Sequence, residues 1–153
     1  MSTKHPIIAV TGSSGAGTSS ITRTFQYIFE REGIKAAVAE GDSLHRYDRK
    51  GMMAAMAEAA RQGNAHFSHF GPEANLFETL EGLFRGYGES GTGRLRRYLH
   101  DAEEAAPHGQ EPGTFTQWAE IAHGTDLLYY EGLHGALATG NVDIARHADL
   151  IIG

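Results

Sequence analysis

Apolar positions along the chain follow two rhythms. Pro6 to Val10, "PIIAV", is a short unbroken apolar run, the pattern of a strand covered on both faces in a parallel sheet. After a glycine-rich loop the spacing changes, and in "TSSITRTFQYIFEREG" Ile21, Phe25, Ile28 and Phe29 recur at helical intervals, with Gly33 placed to end the helix. "IKAAVAEGD" then predicts a second strand ending near Glu40, which leaves Asp42 just past its carboxyl end. Strand, loop, helix and strand in that order predict a parallel α/β sheet.

Further along, Arg49 to Gln62 predicts a helix, with Met52, Met53, Met56, Ala59 and Ala60 available for one face. Another helix is expected over about 72–84, through Leu76, Leu80 and Leu83, broken by "GYGESGTG". "RLRRYLHD" predicts a short strand or exposed ribbon, and the polar stretch from Asp101 to Gly113, with Pro107 and Pro112, a loop. Leu127 to Glu131, "LLYYE", is a second buried-strand run, followed by the turn "GLHG". The last strand, "ADLIIG", is expected to need neighbours and a covering helix that this sequence does not supply.

Composition narrows the class. A chain of 153 residues suits one domain. Its net charge of −6 predicts no general affinity for nucleic acid or anionic membrane, so any anion must be held by a local site. No cysteine is present, which excludes disulfide scaffolds, thiolate zinc sites and thiol catalysis. No apolar run spans a bilayer, and the N-terminus reads straight into a strand without a signal-peptide pattern, so a cytoplasmic protein is expected.

The loop between the first strand and helix, "VTGSSGAGTSS", carries the chemistry. A phosphate loop reads G-x-x-x-x-G-K-[ST]; here Gly12, Gly17 and Ser19 keep the spacing, but Thr18 occupies the lysine position. Glycines let successive N–H groups converge on one anion, and the helix N-terminus adds positive potential, neither of which needs lysine. Ser19 sits where a loop hydroxyl meets the magnesium of a bound nucleotide. Thr18 gives up a mobile cation near a transferring phosphoryl group, so that charge has to come from elsewhere. A ligand-free Gly/Ser turn is the competing reading, and the loop alone predicts an anion site, not a reaction.

Two acids fall just beyond predicted strands, where parallel sheets bind ligands. Glu131 ends "LLYYE", the place of the magnesium-associated acid in phosphate-loop proteins, and Asp42 is placed to take a proton from an attacking hydroxyl. A cap or turn role is the alternative for each. In "GDSLHRYDRK", His45 and Arg49 stand four apart, on one face if helical, beside Asp42; an acid next to cationic donors suits a phosphorylated sugar, and a solvated charged face is the plainer reading. Alternation in "RLRRYLHD" would put Arg94, Arg96, Tyr98 and His100 on one side and Arg97 on the other, as an anion site or a subunit contact. The histidines are too scattered for a zinc site.

Taken together, "GSSGAGTS", "EGDSLHRYDR", "FSHFGPEAN", "YGESGTGRLRRYLHD", "GTFTQW" and "LLYYEGLHG" resemble the bacterial phosphoribulokinases of the phosphoribulokinase and uridine kinase family, in the family's order along essentially the whole chain. The resemblance implies an α/β, P-loop nucleoside triphosphate hydrolase-type parallel sheet flanked by helices, three layers α/β/α, with residues 1–153 as a P-loop kinase domain that lacks the C-terminal part of the family domain. It implies transfer of the γ-phosphate of ATP to the 1-hydroxyl of D-ribulose 5-phosphate in the Calvin cycle. Gly12, Ser13, Ser14, Gly15, Ala16, Gly17, Thr18, Ser19 and Ser20 would cradle ATP, and Ser19 and Glu131 would serve Mg2+. Asp42 would be the general base, with His45, Arg49 and His100, and more weakly Tyr98, on the sugar phosphate. The resemblance further implies a homo-octamer activated by NADH and inhibited by AMP, with Arg31 tied to that control, while Ala16 and the lack of cysteine exclude thiol regulation. A nucleoside or other small-hydroxyl kinase and a non-catalytic nucleotide-binding domain are the rival readings.

Overall fold

In a computed structural model, residues 4–13 and 15–153 are described. The first apolar run becomes β1 (Ile7–Thr11), whose Ile7, Ala9 and Val10 are fully buried. It is an interior strand. Parallel neighbours flank it: β7 (Leu127–Gly132) on one side and β8 (Leu150–Ile152) on the other, with β2 (Ala36–Glu40) beyond β7, in the order β2-β7-β1-β8. The register sets Val10 and Glu40 each opposite Glu131, so the carboxyl ends of three strands finish level and form one shelf.

Helices cover both faces of the sheet. On one, Phe25 and Phe29 of α1 (Thr18–Glu32) pack with Val10, Leu127 and Tyr129. On the other, Leu80, Leu83, Phe84 and Tyr87 of α3 (Phe77–Ser90) pack with Ile7, Ala9, Leu128 and Tyr130. Successive strand residues point to opposite faces, so β7 serves both cores: Tyr129 meets α1 and Tyr130 meets α3. This is the expected helix–sheet–helix arrangement.

Between β2 and β7 the chain builds one wall of the site. A single 3₁₀ turn, Gly41–Leu44, follows β2, and α2 (Arg49–Arg61) starts at the side-chain cap of Asp48. Two small antiparallel ribbons come later, β3 (Arg94–Leu95) with β6 (Ala119–Glu120) and β4 (Tyr98–Leu99) with β5 (Thr114–Phe115).

Several expectations need correction. The helix expected over 72–84 runs from Phe77 to Ser90. Its predicted start is instead a turn pinned by Asn75, whose side-chain amide donates to the carbonyls of His69 and Gly71, and the Leu76 N–H goes to Leu44. Its predicted break is helical because Tyr87 is buried there and hydrogen-bonded to Thr125; Gly91, at φ 70°, supplies the left-handed stop. "RLRRYLHD" is not one alternating strand, since Arg94 and Tyr98 pair with different partners. The supposed loop after Asp101 holds α4 (Ala102–Ala105), capped by the Asp101 carboxylate on the Glu104 N–H, and a 3₁₀ turn at Ala106–His108. His45 and Arg49 do not share a helix, because His45 is extended and α2 begins at Arg49. Of the α2 face, Met52 and Ala59 are buried while Met53 and Met56 are exposed.

Candidate active site

A cavity of about 810 Å³ opens on the shelf formed by the strand ends. Of the residues singled out in the sequence, Gly12, Ser13, Gly15, Thr18, Ser19, Asp42, His45, His100 and Glu131 line it. Ala16, Gly17 and Ser20 belong to the same loop but not to the cavity wall, and Ser14 lies outside the described residues. Arg31 is at the other end of α1, about 20 Å along the helix axis at 1.5 Å per residue, where it pairs with Glu32.

The loop is tightly curled. Gly15 and Gly17 adopt φ 85° and 87°, the left-handed region that side chains resist. A Cβ on Gly12 would lie 3.1 Å from the Thr18 methyl and 3.2 Å from Ala16 Cβ. The Ala16 N–H closes a turn on the Ser13 carbonyl, and Gly17 accepts from Ser20 and Ile21 to open a helix of 15 residues. The partial positive charge of that helix end faces the cavity. Beside it, on β7, stands Glu131. Thr22 donates to Glu131 Oε2 at 2.9 Å, and because its proton is used there, the Tyr129 hydroxyl donates to Thr22. The Ser19 hydroxyl and the Glu131 carboxylate are hard oxygen donors on one wall, a set that suits magnesium. Among the described residues, neither lysine nor arginine lines the cavity; its basic side chains are histidines.

The opposite wall is centred on Asp42. Its 3₁₀ turn is clamped from three directions. The Ser43 hydroxyl donates to the Glu40 carbonyl at 2.6 Å. Arg96 donates to the carbonyls of Ser43 at 2.8 Å and His45 at 2.7 Å, with its guanidinium 3.6 Å above the Phe115 ring and beside Trp118. Gly41 lies against Gly132, where a Cβ on Gly41 would come 2.8 Å from the Gly132 Cα. Arg96, grouped in the sequence with residues that suit an anion site or a subunit contact, is therefore spent on backbone.

Asp42 Oδ2 meets His100 Nε2 at 2.8 Å, and Oδ1 lies 3.7 Å from His45 Nε2. The far side of the His100 ring, Nδ1, meets Glu104 Oε2 at 3.0 Å, and the same oxygen accepts the His100 backbone N–H at 2.9 Å. Arg49 donates to the His100 carbonyl at 2.8 Å, and the Tyr98 ring stands edge-on to His100 with centroids 4.8 Å apart. Arg49 and Tyr98 thus sit behind the cavity, lining a neighbouring one of about 260 Å³ that shares His45 and His69. Electrostatics separate the histidines. Partial burial pulls the His100 pKa down, but the hydrogen bonds and charges of Asp42 and Glu104 outweigh it, and the net shift is upward. Burial lowers His45 and His134, and raises Glu40.

Sequence reasoning missed Glu40, His69, Phe70, Asn75 and His134, which also line the cavity. His69, Phe70 and Asn75 lie in the "FSHFGPEAN" segment, which carries no spacing that signals chemistry; His134 Nε2, on the turn after β7, meets the Phe70 carbonyl at 3.1 Å and ties that segment down. Glu40 ends a strand beside Asp42, a position that could have been singled out by the same rule.

Residues 7–153 match the family described as phosphoribulokinase / uridine kinase. The chain belongs to that family. Among its curated relatives, the chromosomal phosphoribulokinase of Cupriavidus necator is 63% identical over 153 residues, which cover 100% of this chain and 52% of the relative. The phosphoribulokinase of Nitrobacter vulgaris is 59% identical over 150 residues, covering 98% and 52%. A solved phosphoribulokinase from Rhodobacter spheroides superposes with a TM-score of 0.87 at 49% identity, over 98% of this chain and 50% of that one. The chain therefore spans about half the length of the phosphoribulokinases it matches.

Proposed function

We propose that this chain carries the ATP site and the general base of a phosphoribulokinase, an ATP-dependent kinase that converts D-ribulose 5-phosphate to D-ribulose 1,5-bisphosphate in the Calvin cycle. The observation that carries this reading is one cavity with a helix-opening glycine loop on one wall and the Asp42–His45–His100 group on the other. The loop amides and the α1 N-terminus would hold the polyphosphate. Asp42 keeps Oδ1 open while Oδ2 is engaged by His100, so it can accept the proton of the sugar's 1-hydroxyl as that oxygen bonds the γ-phosphorus and ADP departs. His45 supplies a donor for the 5-phosphate and His100, with both ring nitrogens engaged by Asp42 and Glu104, offers its positive charge, while Arg49 and Tyr98 act by fixing His100. Ser19 and Glu131 would hold Mg2+, which when bound neutralises phosphate charge.

Assembly and control follow the family resemblance alone: a homo-octamer activated by NADH and inhibited by AMP, with Arg31, remote from the cavity, in the effector response. A cytoplasmic location goes with that reading; no helix among the described residues is long and apolar enough to cross a membrane.

ADP-release assays with ribulose 5-phosphate, with uridine and without acceptor test the substrate. Turnover with uridine but not with the sugar phosphate would overturn it. Asp42→Asn is expected to lower kcat by about 10²–10⁴-fold with little change in Mg·ATP binding, and a near-normal kcat removes Asp42 from the base role. The lack of lysine or arginine among the described residues of the cavity wall favours one second reading, a nucleotide-binding domain without catalysis, which Mg·ATP binding without any turnover would support.

A further inference from the structure

Glu104 lies in the polar stretch read from the sequence as a loop, with no role assigned, and it does not line the cavity. It nevertheless makes two contacts with His100 through a single oxygen, Oε2, one to the backbone N–H and one to ring Nδ1. Its own backbone is held by the Asp101 cap that starts α4, so the carboxylate is delivered by a fixed element. Nδ1 and Nε2 of His100 thus face Glu104 and Asp42 respectively. A neutral imidazole has one N–H and can satisfy only one of two carboxylates; an imidazolium donates to both. The arrangement selects the charged ring.

We infer that Glu104 is a positioning residue of this site: it holds the His100 ring from behind, keeps the second nitrogen aimed at Asp42, and keeps the ring charged as the cation offered to the substrate's phosphate. The last part rests on the function proposed above; the holding of the ring does not. Other charged or titratable groups near the ring do not replace it. Asp42 and His45 come from the turn after β2, Glu40 from the end of β2, and Arg97 from the ribbon; Arg49 of α2 contacts only the His100 carbonyl. Glu40, the remaining acid, is partly desolvated and its pKa is raised. Glu104 itself is shifted down by its hydrogen bonds to His100, the counterpart of the upward shift of the histidine.

The test follows the His100 ring by NMR titration in ligand-free protein, assigned with His100→Gln. Glu104→Gln keeps shape and one acceptor but removes the charge. The expected result is a His100 midpoint at lower pH than in the wild type, with Glu104→Asp between the two. The alkaline limb of kcat/KM for ribulose 5-phosphate should move the same way, through a KM increase of order tenfold above the new midpoint, with KM for ATP little changed. An unchanged His100 midpoint in Glu104→Gln overturns the inference, and so does a KM increase of equal size at every pH. Should the glutamine variant not fold, Glu104→Asp decides on the same readout, because its withdrawn carboxylate must also lower the midpoint. A midpoint shift in a wild-type background that does not turn over ribulose 5-phosphate upholds the holding of the ring and sinks the substrate assignment instead.

Discussion

Truncating Arg96 to alanine tests how the turn bearing Asp42 is held. Arg96 makes two hydrogen bonds from a charged donor to main-chain carbonyls, each worth about 1.5–3 kcal/mol. Its stack on Phe115 and Trp118 adds about 0.5–1 kcal/mol. Against these stands the rotamer freedom regained on truncation, about 2 kcal/mol, so the net loss is about 3 kcal/mol. With a urea slope of about 2 kcal/mol/M, the unfolding midpoint should fall by about 1.5 M. Lysine at this position can reach one carbonyl but has neither the fork nor the flat face, so Arg96→Lys should recover less than half of the loss. Asp42 and Ser43 share the clamped turn, so kcat should fall with stability. An anion-binding Arg96 would behave in the opposite way, raising KM for the phosphorylated substrate and leaving the midpoint alone. A change below about 0.5 kcal/mol, the range of ordinary surface substitutions, would refute the clamp.

Two further outcomes come from the same wall. Gly132→Ala places a methyl against the buried Tyr130 hydroxyl and 2.7 Å from the Gly41 Cα; with a buried ring and backbone on the receiving side, the expected cost is about 1–3 kcal/mol, seen as a lower Tm, and an unchanged Tm would show that the site has room to give. Stability should be highest at intermediate pH. The raised pKa of His100 means its contribution is complete below the ordinary histidine pKa and lost as pH rises through the folded value, whereas the lowered pKa values of His45 and His134 give contributions present above the ordinary value and lost as pH falls through theirs. In urea melts across this range, His100→Gln should flatten the alkaline arm and His134→Gln the acid arm; arms that keep their slopes would show that these rings do not titrate as described.

Much of the scaffold is legible in the sequence because its signals are local. "PIIAV", "AAVAE" and "LLYYE" are uninterrupted strand runs, and each ends at the same edge of the sheet as the loop it precedes. Gly12, Gly17, Asp42 and Glu131 can be placed by that logic alone. What escapes is whatever depends on distant partners. The insertion of β7 between β1 and β2 has no local mark. Gly82 and Gly86 argue against a helix that the burial of Phe84 and Tyr87 sustains. Arg96 and Glu104 carry ordinary surface-residue identities, yet one grips two carbonyls more than fifty positions away and the other holds a ring across a helix cap. Charge type was readable in each case, but its recipient was not.

The central placement of β7 has a kinetic consequence. Thr22 and Glu131, 109 positions apart in the chain, become neighbours only when β7 has slotted into the gap between two strands made long before it. Contacts of such long separation close late and slowly. Until they do, the glycine loop stands without Glu131, and the shelf of strand ends that bounds the cavity is incomplete.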